Sequence, residues 1–111
     1  SSYHTSWRQS YPDNAKALFF IGNCYLNESN LDKAEEYFLN AFKLQPEVPE
    51  TIMNLAYVNI KKKNFIAALE YYKILENMNN NDQDIKRKIK ALELKILYEQ
   101  NINNIQNDSV K

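Results

Sequence analysis

His4 is the only histidine of the chain and Cys24 the only cysteine. A metal site draws on several His, Cys or carboxylate ligands, and a catalytic triad needs a nucleophile, a base and an orienting group. His4 has no second histidine and no nearby cysteine, so it reads as incidental. Cys24 falls among Phe20, Ile21 and Tyr25, where a cysteine serves as a small buried apolar residue rather than a nucleophile. Glu35-Glu36 reads as solvated helix surface, and Glu47 and Glu50 as acids at a helix N-terminus. Lys61-Lys62-Lys63 could hold a phosphate or an acidic partner, but cations at the C-terminal end of a helix on a solvated hairpin tip are the simpler account. With Gly22 the only glycine, no Gly-rich phosphate loop can be built. The expectation is no enzyme, no metal and no cofactor.

Composition narrows the class further. A chain of 111 residues is one domain at most. Scarce glycine argues against tight β-hairpins, and abundant Ala, Leu, Glu and Lys argue for an all-α chain. Lysine plus arginine and aspartate plus glutamate each total 14. The basic excess through which a protein holds a phosphate backbone is therefore missing, and nucleic acid is not an expected partner. The eight tyrosines and five phenylalanines could stack on bases, but most fall on apolar helix stripes and are read as core. The longest apolar stretch, 17–21, is too short to cross a bilayer. One cysteine forms no intrachain disulfide, so the fold needs no oxidising compartment, which favours the cytoplasm.

The elements that position these residues repeat. Pro12 and Pro46 are 34 residues apart, and the next step of 34 lands on Asn80. Leu18, Ile21, Gly22, Ala34 and Phe38 meet Ile52, Leu55, Ala56, Ala68 and Tyr72 at the same offset, while Tyr25 faces Asn59 and Ala41 faces Leu75. Each unit reads as two helices. Asp13 or Asn14 caps a first helix reaching about Leu26; a polar turn follows at 27–30, then a second helix from Leu31 to Leu44. The second unit runs from Pro49 to Lys62, turns at Lys63 and Asn64, and returns from Phe65 to Met78. Leu18, Ile21, Cys24 and Tyr25 form one candidate core stripe, and Leu31, Ala34, Phe38 and Ala41 the facing one. Glycine inside a helix costs roughly 0.5–1 kcal/mol relative to alanine; Gly22 is read as the place where a neighbouring helix approaches closely.

The run Leu18, Ile21-Gly22, Tyr25, Ala34, Phe38, Ala41, Pro46 resembles the signature of the tetratricopeptide repeat, with leucine where tryptophan is more usual. Ile52, Leu55-Ala56, Ala68 and Tyr72 resemble it again, departing at Asn59, Leu75 and Asn80. The resemblance implies an α-solenoid of antiparallel hairpins: units at 13–46 and 47–80, a capping helix at 82–103 and a frayed tail at 104–111. Ile85, Ile89, Leu92 and Ile96 recur at helical spacing, and a polar outer face with Lys86, Arg87, Lys90, Glu93, Lys95 and Glu99 suits a terminal cap. Residues 1–12 are expected to be the end of a preceding repeat, with Trp7 at a packing place, or an unstructured leader. On the first of these readings the chain is part of a longer array.

The resemblance also implies a function: the first helix of each hairpin lines a concave groove that meets a protein or peptide partner. That face offers Lys16, Phe19, Asn23, Leu26 and Asn27, then Glu50, Met53, Asn54, Tyr57 and Lys61, with Arg87, Lys88 and Ala91 from the terminal helix. Such an apolar groove fits an apolar-anchored segment, and self-association into a homo-oligomer is a second kind of partner. One subfamily grips the C-terminal carboxylate of chaperones with Lys, Asn, Asn, Lys and Arg. Asn23 and Asn54 stand at its asparagine places, but Phe19 and Asp84 replace the lysines and Lys88 would replace the arginine. Charge-assisted capture needs those cations. The second reading is a regulatory or targeting part of a larger enzyme or chaperone cofactor.

Overall fold

A computed structural model describes residues 13–109. Among them are five α-helices and no strand: α1 (Asp13–Asn27), α2 (Leu31–Leu44), α3 (Pro49–Lys61), α4 (Phe65–Met78) and α5 (Gln83–Ser109). The first four form two antiparallel hairpins, and α5 packs against α4. The starts and ends agree with the reading above to within a residue, except that α5 continues to Ser109 rather than fraying after Asn103. The expectations for residues 1–12, with His4 and Trp7, lie outside the described residues.

The two hairpin turns are the same device repeated. Ser29 and Lys63 have φ of 62° and 63°, the left-handed region. Each follows the last turn of a helix, and the next residue closes it: the Asn30 N–H donates to the Tyr25 carbonyl at 2.9 Å and the Asn64 N–H to the Asn59 carbonyl at 2.8 Å. This is the six-to-one bond that satisfies helix-end carbonyls. The same asparagines then start the following helix. The Asn30 side chain accepts from the Lys33 N–H at 3.2 Å, and that of Asn64 from the Ala67 N–H at 3.3 Å, so each fills one orphan donor of a first turn. The exits after α2 and α4 are also alike, with extended backbone at Gln45 and Asn79. Pro49 sits in the first turn of α3, where a missing N–H costs nothing. Lys62 ties the hairpins together, 2.8 Å from both Asp32 and Glu35 of α2. The Lys62 hydrogen bond and charge hold the Asp32 carboxyl below its usual range, and the bonds to Asp32 and Glu35 hold the Lys62 ammonium above its own.

Two apolar clusters make up the core. The first gathers Ala15, Phe19, Ala34, Phe38, Ala41, Val48, Leu55 and Val58; the second Ile52, Ala56, Ala68, Tyr72, Leu75, Ile85, Ile89 and Leu92. Phe42 and Tyr71 border both, ring on ring at 6.2 Å and 89°, and join the clusters. Gly22 lies against Phe38: a Cβ there would sit 2.7 Å from two atoms of that ring. Asn59, which departs from the repeat, is buried and donates through its side chain to the Leu55 carbonyl at 2.8 Å, so its amide is not left dry.

One expectation is corrected. On α1 the buried positions are Ala15, Phe19 and Gly22, while Leu18 and Tyr25 are half-buried and Ile21 and Cys24 exposed. The helix carries two apolar stripes about a third of a turn apart, and periodicity does not say which one its hairpin partner covers. Cys24 is therefore not a core residue, and Phe19 is.

Candidate protein-binding groove

The groove residues come from α1 and α3, joined by a hydrogen bond across the two hairpins. The Asn54 side-chain amide donates through Nδ2 to the side-chain Oδ1 of Asn23 at 2.9 Å. The two asparagines expected to face a ligand are thus brought together and spend part of their capacity on each other. Lys16 is turned to Asp13 at 2.9 Å, and its hydrogen bond and charge hold that carboxyl below the usual range. Phe19, expected as an exposed anchor, is 8% exposed and packs on Phe38 at 5.8 Å between ring centres. Leu26 is half-buried against the first cluster.

The apolar surface left open belongs to α3. Met53 is 38% exposed and Tyr57 45%. They fall in two shallow clefts. One, of about 300 Å³, is bordered by Phe19, Pro49, Glu50, Met53 and Asn54. The other, of about 400 Å³, is bordered by Leu26, Asn27, Ser29, Leu31, Tyr57 and Lys61. Phe19 therefore contributes only an edge to the first cleft. The Lys61 ammonium stands 5.6 Å from the centre of the Tyr57 ring, close enough for a cation–π contact that stiffens both. Ser29 and Leu31, which flank the first turn, were not foreseen as lining residues; their place follows from the left-handed turn that folds 28–31 back beside α1, which composition alone does not signal.

On the terminal helix, Arg87 is ion-paired with Asp84, three residues earlier, and Lys88 is exposed. The arginine is thus engaged within its own helix. Among the described residues no group of three or more His, Cys, Asp or Glu side chains could hold a metal ion. No described helix is long and apolar enough to cross a membrane.

Comparison with protein families matches residues 15–48 to the tetratricopeptide repeat. That span begins at the buried Ala15 and ends at the buried Val48, so it covers α1, α2 and the exit that seals the first cluster. Comparison with curated proteins returns no match. The second helix of each hairpin is 14 residues long, follows a left-handed turn residue and is capped by an asparagine side chain. Residues 15–48 match the tetratricopeptide repeat, and the chain folds as an all-α, tetratricopeptide-like stack of helical hairpins.

Proposed function

We infer that the chain acts by binding, as a protein-interaction module that seats a partner peptide or helix on the face of α3 and the adjoining end of α1, and that it carries no catalysis of its own. The observation that supports this reading is the exposure of Met53 and Tyr57 side by side on the inner helix of a hairpin stack, each at the lip of a cleft. Large apolar side chains in such a place cost solvation in the free protein and become the anchors of an interface when covered. Leu26 lines the second cleft, and Lys61, held over Tyr57, supplies one charge beside it. Asn23 and Asn54, bonded to each other, fix the spacing of the two helices. Capture of a C-terminal carboxylate is disfavoured, since Asp84 engages Arg87 and Phe19 is in the core.

The test is affinity capture followed by titration of the captured partner. Met53→Ala with Tyr57→Ala should weaken binding at least tenfold, about 1.4 kcal/mol, with the helical circular dichroism unchanged. Ile66→Ala, a still more exposed apolar residue on α4, should leave it within a factor of two. Equal affinity for both variants would remove the groove assignment.

A further inference from the structure

The face that carries Met53 and Tyr57 does not end with α3. Leu55 and Val58 of α3 belong to the first cluster, which they share with Ala34, Phe38 and Ala41 of α2. One repeat later, Ile89 and Leu92 of α5 belong to the second cluster, with Ala68, Tyr72 and Leu75 of α4. α5 is thus turned against α4 as α3 is turned against α2. The same step of 34 residues carries Met53, Asn54 and Tyr57 to Arg87, Lys88 and Ala91, all three exposed. The face therefore passes from apolar on α3 to basic on α5.

Most charges near this face already have partners. Lys16 is paired with Asp13, Lys62 with Asp32 and Glu35, and Arg87 with Asp84. Lys61 and Lys88 have no ion pair among the described residues. Lys61 borders the second cleft beside Tyr57. Among the described residues bordering the two clefts, the one carboxylate is Glu50, at the Pro49 end of α3 and about 16 Å along the helix from Lys61. Exposed ion pairs add little affinity, but they choose between partners of opposite charge and speed their encounter. Met53 and Tyr57, one turn apart, supply the anchorage, and the two lysines select what carries it. Resting on α3 as the binding face, we propose that the partner is acidic: a segment with apolar side chains on Met53 and Tyr57 and side-chain carboxylates that reach Lys61 and Lys88.

The probe is a random peptide library displayed with its C-terminal end fused to the carrier, so that only side-chain carboxylates are presented. Peptides selected on the chain should carry large apolar residues and a net negative charge. A synthetic copy of one, titrated at low salt where screening is weak, should bind at least tenfold more weakly to Lys61→Glu with Lys88→Glu, the helical signal being unchanged. Lys88→Glu alone, which leaves the Lys61–Tyr57 contact in place, should weaken binding in the same direction. Selection of neutral or basic peptides, selection of none, or a charge reversal without effect overturns the acidic partner. Met53→Ala with Tyr57→Ala separates the two readings. Binding lost there but indifferent to charge keeps the α3 face and removes the acidic partner, whereas binding retained there removes the face and the partner with it.

Discussion

Gly22 and Phe38 are one feature seen from two helices. The glycine surrenders helix propensity and Phe38 fills the space gained, with its ring fully buried. Gly22→Ala is therefore a contest between two effects. Propensity favours alanine by up to about 1 kcal/mol. Overpacking a rigid core costs about 1–3 kcal/mol, and two ring atoms 2.7 Å from the new Cβ put this site at the costly end. The expected outcome is a net loss of about 1–2 kcal/mol in urea unfolding, partly recovered when Phe38→Leu is added. A gain in stability would show that the ring can move aside. That a small residue belongs at position 22 was legible from its place in a helix and from Ala56 one repeat later. Which ring it meets was not, because that depends on how α2 is rotated against α1.

The turns are where the elements acquire their precision. Asn30 and Asn64 each end one helix and begin the next, and the residues before them take the same left-handed backbone. The polar stretches at 27–30 and 63–64 announced turns, but the double role of the asparagines came only from the hydrogen bonds. Asn64→Ala removes the acceptor for the Ala67 N–H and should cost about 1 kcal/mol of stability, read as a lower urea midpoint with an unchanged slope. Asn64→Asp should keep most of it, because a carboxylate caps equally well and suits the helix N-terminus. Loss of the slope as well would mean that the hairpin had come apart rather than lost a cap. The left-handed positions fall on Ser29 and Lys63, not on glycine, so glycine counting could not have located them.

At the scale of the molecule, the two clusters are coupled through Phe42 and Tyr71, and the second cluster closes on α5 through Ile85, Ile89 and Leu92. This junction carries a pH signature. Burial pushes the Tyr71 phenol up, with the charges of Glu35 and Glu70 adding to it, and burial alone does the same for Tyr72. An acid whose pKa is raised on folding stabilises the fold below its unfolded value, near 10, and that contribution is lost as pH rises through the folded value. Alkaline unfolding followed by circular dichroism should therefore coincide with the appearance of tyrosinate, and Tyr72→Phe should move its midpoint to higher pH. A midpoint that does not move would assign the alkaline limit to other groups. The sequence by itself determined the helices, their pairing into hairpins and the 34-residue register, because helical periodicity, caps and breakers act over a few residues. Only the tertiary structure decided that Phe19 is core while Met53 and Tyr57 stay open, that Asn23 and Asn54 bond to each other, and that burial along α5 ends at Leu92. Those outcomes rest on the rotation and length of one helix against another, and a stripe of apolar residues does not carry that information until its partner is in place.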